Sequence, residues 1–339
     1  MAARVGVDVG SAAIKVMAVS GSFPKLEVEA IGMGINPVGN VGTDNEAEGK
    51  QIAEAIKRTM ADAGIKERKV KAALPEWQVY TRVIEVPPLS EAELASALSW
   101  EAEQYIPVPL AEVNLDWQIL RRPATSQSDE KMEVLLVAAP KQIVDRRVGW
   151  LLWAGLEPVG LETEIVAGSR VVVRGDEAPT LVCNLGAVGT TVSIIEAGKL
   201  VFAYALTSGG IALTRAIAQG LGLEFAQAEQ YKRTYGVDEA QLEGKQVQAM
   251  EPVLGALVTE LRKGINFYAG RRKEGLKRLI LTGGGAQMPG LVMYLANRLT
   301  LEVVVGNPMV GWSWDAGVKQ RFEGLESVFV VAAGLTAGD

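Results

Sequence analysis

The 339-residue chain contains no histidine. Without imidazole there is no Ser-His-Asp or Cys-His catalysis, no histidine metal ligand and no histidine general base. Its one cysteine, Cys183, leaves no intrachain disulfide, no cysteine zinc site and no self-contained iron–sulfur cluster, which suits a reducing cytoplasm. Long apolar runs are missing too. The most apolar stretches, 134–140, 149–156 and 328–335, fall well short of the ~20 residues that span a bilayer. The opening Met-Ala-Ala-Arg enters an alternating segment containing Asp8 rather than the apolar core of a secretory signal. The last residues form no basic amphipathic helix. A soluble, cytoplasmic chain is expected, touching a membrane only through a partner. An excess of positive charge is also absent. Lys and Arg number 34 against 40 Asp and Glu, a net of −6, which speaks against sequence-independent nucleic-acid binding. What remains is ordinary globular composition, 48% apolar and 22% charged, over a length that suits two domains or lobes.

The chain carries one device twice. In 4–21, Val5, Val7 and Val9 alternate with Gly6, Asp8 and Gly10; Ser11, Ala12 and Ala13 make a small-residue turn, and a second strand follows. That is a β-hairpin by period and punctuation. The segment 180–198 repeats the plan, with Asn184 opposite Asp8 and Gly186 opposite Gly10. A third unit runs from a strand ending in Thr282 through Gly283, Gly284 and Gly285 to a helix opened by Pro289. Helices are expected at 47–63, 212–221, 225–235 and 250–270. Another, with Ser90 and Glu93 as a capping box, is stopped by Pro107 and Pro109. Strands near 71–74, 81–86, 114–120 and 133–138 suggest a small α+β module inserted in the first half, with a mobile loop at 121–131. Nothing of disordered composition separates the halves, so they are expected to share a rigid cleft.

A glycine-containing hairpin turn presents backbone N–H groups to one point and lets a bulky anion approach closely. Beside the first turn, Ser11 and Lys15 add a hydroxyl and a cation for a phosphate, and Asp8 can hold a hydrated Mg²⁺. Two such hairpins face to face would pinch a polyphosphate, and the bare turn at 283–285 would receive a flat nucleoside. Each feature also has a plain structural reading. Lys15 could be solvated, Glu229 and Lys232 could be a helix-surface ion pair, and Glu162 and Glu164 could be surface charge. Cys183 and the tryptophans Trp77, Trp117, Trp150 and Trp153 read as packing.

The ordered combination is more specific. Asp8-Val9-Gly10-Ser11 with Lys15, Asn184-Leu185-Gly186, Leu281-Thr282-Gly283-Gly284-Gly285 and a terminal Ala332-Ala333-Gly334 resemble the nucleotide motifs of the actin/Hsp70/sugar-kinase superfamily. Within it, Trp100-Glu101-Ala102-Glu103-Gln104-Tyr105-Ile106-Pro107 followed by Val113-Asn114-Leu115-Asp116 is similar to the PilM family of type IV pilus assembly proteins, over about residues 4–336. The resemblance implies an α/β, actin/Hsp70-like two-lobed fold of duplicated RNase H-like domains with an inserted FtsA-like α+β subdomain. The expected division is 1–70 with 155–177 and 328–339 for the first lobe, and 71–154 for the inserted subdomain. The second lobe takes 178–223 with 276–327, and a helical subdomain takes 224–275.

The resemblance also implies ATP with Mg²⁺ between the lobes. Asp8, Gly10, Ser11 and Lys15 match the first phosphate loop, Gly186, Thr190 and Thr191 the second, and Gly209 and Gly210 the paired glycines that approach the phosphates. Glu229 and Lys232 match the helix reaching ribose and base, and Gly283, Gly284 and Gly285 the adenosine loop. The implied partner is the short N-terminal cytoplasmic tail of a PilN-type inner-membrane protein. It is expected in a groove between the first lobe and the inserted module, alongside other pilus assembly proteins and self-association. That places the chain at the cytoplasmic face of the inner membrane. Asn184 departs from the aspartate usual in the superfamily, which points to slow turnover with ATP as a conformational ligand. The rival readings are a filament-forming relative of FtsA or MreB and a sugar kinase. The kinase would need a carboxylate base that no motif places well.

Overall fold

The computed structural model describes residues 4–123, 131–173, 178–272 and 274–338. In the first half, β1 (Arg4–Val9), β2 (Ala13–Ser22) and β3 (Lys25–Ile35) form an antiparallel meander. β4 (Lys69–Leu74) pairs parallel to β1 and β8 (Glu157–Thr163) pairs parallel to β4. Between β4 and β8 lies an insertion carrying β5 (Tyr80–Val86), β6 (Val113–Arg121) and β7 (Met132–Pro140). The second half rebuilds the same sheet. β9 (Thr180–Leu185), β10 (Thr190–Glu196) and β11 (Lys199–Leu206) are antiparallel, then β12 (Arg278–Thr282) and β13 (Glu302–Val305) are parallel. Strand orders are β3-β2-β1-β4-β8 and β11-β10-β9-β12-β13, with a short β14 (Ser313–Trp314) added beyond β3. Arg4 maps to Thr180 and Val9 to Leu185, so the two first strands keep one offset at both ends.

β1 and β9 are central strands covered on both sides, which is why their side chains are buried almost without alternation. Helix Val330–Ala337 crosses β1 so closely that a Cβ at Gly6 would collide with the Ala332 carbonyl. On its other side, Gly334 sits against the Ala167 carbonyl of helix Glu164–Val172. Beneath the first sheet, Ile52 and Ile56 of helix Glu46–Asp62 meet Val7, Val16, Trp150 and Leu151. The second sheet is covered by Leu213 and Ile217, by Leu254 and Leu261 of helix Lys245–Ala269, and by Leu291 and Leu295. Each fully buried Leu or Ile here contributes about 1.5–3 kcal/mol.

In the inserted sheet, ordered β5-β7-β6, the central strand β7 is buried on both faces. One face (Ile84, Val86, Val134, Leu136) receives Leu94, Leu98 and Ala102 of helix Glu91–Glu103, whose expected Ser90–Glu93 capping box is present. The other face (Val83, Leu120, Leu135, Val137) joins Val182, Ile195, Leu200 and Ile280 of the second lobe in one cluster. Ion pairs Arg271–Glu85 (3.1 Å) and Arg272–Glu133 (3.5 Å) edge the same seam. The module belongs to the first half by chain and is seated on the second by packing.

Pairing and packing cross several of the expected boundaries. Residues 71–74 complete β4 of the first sheet, and helix Lys141–Trp153 buries Trp150 and Leu151 under that sheet, so the module proper is narrower than 71–154. Within 276–327, β14 pairs with β3, and Met309, Trp312 and Phe322 pack on Met17, Leu26 and Phe329. Pro289 does not open its helix. Gly290, at φ +77°, caps a helix that starts at Leu291. Most of the loop expected at 121–131 lies outside the described residues.

Candidate functional site

The two hairpin turns and the turn after β12 enclose a cleft of about 720 Å³ between the lobes. Both hairpins close with the same bond: Gly10 N–H donates to the Ala13 carbonyl (3.0 Å) and Gly186 N–H to the Gly189 carbonyl (2.9 Å). The buried Asn36 braces the first turn by donating Nδ2–H to the Gly10 carbonyl at 3.0 Å. Of the residues expected at the site, Asp8, Gly10, Ser11, Lys15, Asn184, Gly186, Thr190, Thr191, Gly210, Glu229, Lys232, Gly283, Gly284 and Gly285 line this cleft. Gly209 does not; it stands behind the wall. A Cβ there would lie 2.6 Å from the Gly186 carbonyl oxygen. That close approach lets Gly210 and Ile211 N–H donate to the Gly186 and Ala187 carbonyls at 2.9 Å, fastening helix Gly210–Leu221 to the second turn.

The three consecutive glycines differ in kind. Gly283, at φ +79°, has Asn184 Oδ1 and the Leu185 carbonyl against it, and Gly285 is pressed on the Leu185 side chain. Around a Cβ at Gly284 there is open space. Two of the glycines shape the turn, and one bares a wall of the cleft.

At the hairpin end, Lys15 Nζ donates to Asp8 Oδ2 at 2.6 Å, both side chains being largely buried. Asn184, at the matching position of β9, is neutral. Glu164, at the start of its helix, completes an acidic wall that the sequence left open. Burial pushes its pKa up to about 7, Asp8 and Glu76 push the same way, and Lys15 opposes them. Glu76 is buried and likewise raised by burial. The two residues clasp each other: Glu76 N–H donates to Glu164 Oε2 (3.4 Å), and Ile165 N–H donates to Glu76 Oε2 (3.3 Å). Glu162 instead faces away, paired to Arg170 at 2.9 Å.

Behind β1, the buried Arg147 donates from Nη1 to the Val9 carbonyl (3.3 Å) and rests on the Trp150 ring. Burial lowers its pKa to about 10, against the pull of Asp8 and Glu164. In the sequence, Asp145-Arg146-Arg147 looks like a solvated helix face, and only the flanking apolar spacing hints that position 147 turns inward. Cys183 is buried with its thiol pushed up to about 12, so it is inert core as expected.

Across the cleft, Lys232 spends its three N–H donors inside the protein, on the Gly210 carbonyl (2.9 Å), Thr214 Oγ1 (2.8 Å) and Glu229 Oε2 (2.6 Å). Burial would raise Glu229, but hydrogen bonds from Lys232, Thr214 and Arg233 outweigh it and hold the carboxylate below its usual range. Both residues line the cleft, and they also pin helix Phe225–Tyr235 to the start of helix Gly210–Leu221.

Trp77 packs against the core of the first lobe, as expected, and also borders two cavities. One is the cleft. The other, of about 290 Å³, is formed by Tyr80, Arg82, Tyr105, Ile106 and Leu136 of the module, Glu76, and Tyr204 and Thr207 of the second lobe. At its mouth the Arg82 guanidinium lies over the Tyr105 ring, 4.1 Å from its centroid. Trp117 and Trp153, also expected to pack, are exposed, while Trp150 is core.

Mg²⁺ is held by one or two carboxylates, waters and phosphates. Asp8 is the one carboxylate that the two hairpins turn into the cleft, and Lys15 engages it. Among the described residues no cluster of three acidic, cysteine or histidine ligands exists. The residues do not fit a metal held by the protein itself.

The profile of the family described as type IV pilus assembly protein PilM matches residues 6–337. The structure of a PilM–PilN type IV pilus biogenesis complex is similar at TM-score 0.83 and 30% identity, covering 99% of this chain and 99% of that one. Ethanolamine utilization protein EutJ from Carboxydothermus hydrogenoformans matches at TM-score 0.59 and 17% identity, over 99% of this chain and 90% of that one. MreB5 of Spiroplasma citri bound to AMPPNP matches at TM-score 0.53 and 13% identity, over 98% and 95%. The last two likenesses show the fold, that of actin-like ATPases. With paired lobes, matched hairpins and a seated module all covered by the match, this chain belongs to the PilM family of type IV pilus assembly proteins.

Proposed function

We propose that the chain is a nucleotide-binding adaptor of type IV pilus assembly, docking the N-terminal cytoplasmic tail of a PilN-type inner-membrane protein. One observation carries this reading: a cleft sized for a nucleotide and a groove at the module seam share the Trp77 wall. The ligand site consists of Asp8, Gly10, Ser11, Lys15, Asn184, Gly186, Thr190, Thr191, Gly210 and Gly284, with Gly209, Gly283 and Gly285 shaping its walls. Lys15 and the turn backbone meet the phosphates, Gly284 gives the nucleoside a flat wall, and Glu229 and Lys232 frame the ribose side. Mg²⁺ would have only Asp8 to hold it, through water, and no step is drawn through the metal. With no placed base beyond the partly protonated Glu164, ATP serves as a conformational ligand with slow turnover.

The second cavity offers an extended peptide an apolar floor at Val79, Ile106 and Leu136 and a cation at Arg82. No helix among the described residues is long and apolar enough to cross a membrane, so a membrane-anchored tail docked here would hold the chain peripherally at the inner membrane. The PilM of the similar complex is paired with PilN. Calorimetry with a synthetic PilN-type tail tests the groove. Thr207→Trp, which fills it from an exposed rim position, should abolish peptide binding and leave nucleotide binding intact. Unchanged peptide affinity would put the groove elsewhere.

A further inference from the structure

We propose that the cleft meets nucleotide phosphates directly with the Lys15 ammonium, backed by the buried charge of Arg147, so that nucleotide binding changes little when Mg²⁺ is removed. This rests on the cleft being the nucleotide site. Three observations carry it. First, the Asp8 carboxylate already holds a cation, the Lys15 ammonium at 2.6 Å, in a largely buried pair. A lysine ammonium is a compact point charge with three donors. Anchored by Asp8 beside the first turn, it offers its remaining donors where a carboxylate-bound metal would otherwise face the phosphates.

Second, the matching position on the other hairpin is Asn184. Its Oδ1 lies against Gly283, at the base of the third turn, and it adds no negative charge. Third, Arg147 places a buried guanidinium directly behind β1, bonded to the Val9 carbonyl next to Asp8. Among the described residues it makes no ion pair. It does not line the cleft, but Asp8 and Glu164 lie within its field, so its charge lowers the negative potential that an entering phosphate meets across β1. Lys232 adds nothing to this balance, being matched by Glu229.

Lys15 and Arg147 therefore offset Asp8 and Glu164, and the phosphate end is at worst neutral before a ligand arrives. Two ionised hairpin carboxylates served by one lysine would leave that end negative and dependent on a divalent cation to admit a polyphosphate.

The test is calorimetric titration of the full chain with AMPPNP in Mg²⁺ and in EDTA. Affinities within about tenfold of each other support the proposal; a loss of about tenfold or more in EDTA overturns it. If AMPPNP binds in neither buffer, the nucleotide reading of the cleft fails instead. Asn184→Asp, which keeps side-chain shape, should create metal dependence by weakening binding in EDTA relative to Mg²⁺ by at least about tenfold. Equal affinities in that variant would show that the position 184 charge is irrelevant. Lys15→Met should lose binding in both buffers. Its retention of metal-dependent binding, with an unchanged thermal midpoint, would also count against the proposal.

Discussion

Three adjacent glycines should give three different answers to one substitution. At Gly284 a new side chain enters open space in the cleft, in a backbone conformation other residues adopt, so Gly284→Trp should fold with stability near that of the parent. Its indole would stand where a nucleoside lies. Displacing about 100 Å² of buried nucleoside face at ~25 cal/mol per Å² costs about 2.5 kcal/mol, or roughly 70-fold in affinity. Gly283→Ala is the converse. At φ +79° and ψ 177° the position suits glycine alone, a penalty of about 1–3 kcal/mol. To this are added contacts with Asn184 and with the Leu185 carbonyl oxygen at 2.7 Å. Gly285→Ala meets the Leu185 side chain and should cost about 1–3 kcal/mol by overpacking. Urea denaturation and AMPPNP calorimetry on the three variants separate the effects. Parental affinity in Gly284→Trp would refute the nucleoside wall, and parental stability in Gly283→Ala would refute the turn geometry.

Other outcomes follow from the charged groups. Glu164 titrates near 7 in the folded chain and near ~4.3 when unfolded, so its protonated form contributes stability that is full below the unfolded value and lost as pH rises through about 7. Glu164→Gln should flatten the fall in stability between about pH 5 and 7.5 by on the order of 1–3 kcal/mol; parallel urea profiles for both proteins would contradict this. Lys232→Met strips partners from the Gly210 carbonyl, Thr214 and Glu229, and should cost about 1.5–3 kcal/mol of stability, read by thermal or urea unfolding. Trp77→Ala opens the wall between cleft and groove, and should weaken both AMPPNP and a PilN-type tail in calorimetry, whereas Tyr105→Ala should weaken the tail alone. Purified protein should hydrolyse ATP more slowly than about 1 per second, the low end for dedicated enzymes, in a phosphate-release assay.

Much of the cleft was legible because backbone chemistry writes itself into sequence. Alternation around Asp8 and Asn184, glycine at both turns and a bare Gly283–Gly285 run are local patterns, and local patterns set hairpins and turns. What sequence reading missed depends on burial at long range. Arg147 and Glu76 look solvated in their own windows, and their environments come from β1 and from helix Glu164–Val172, far along the chain. Glu162 and Glu164 are indistinguishable locally; the strand-to-helix transition at Thr163 turns one to Arg170 and the other into the cleft. Contacts that cross the expected domain limits are hidden for the same reason. Nothing local in 141–153 says that Trp150 lies under the first sheet rather than with the module that precedes it.

The seating of the module sets how the two cavities can communicate. It enters and leaves through the first lobe, at β4 and helix Lys141–Trp153, yet it buries Leu120 and Leu135, with the half-buried Val83 and Val137, in a cluster with Val182, Leu200 and Ile280 of the second and Ile165 and Val173 of the first. Any change in the angle between lobes must therefore shear that apolar seam or carry the module with it. Close-packed interfaces resist small deformations and favour discrete arrangements. The groove beside Trp77 takes walls from both parties, Tyr80 and Leu136 from the module and Tyr204 and Thr207 from β11 and its end, so its shape reports the lobe angle directly. A nucleotide can bias the groove only through a difference in its affinity for two lobe arrangements, and a bound tail then biases the nucleotide by the same factor. The clasp of Glu76 on Glu164 lies on this route, with one residue at the module's root and the other on the cleft wall. The architecture thus favours an adaptor whose two ligands sense each other across one shared wall over a catalyst that must open and close in every cycle.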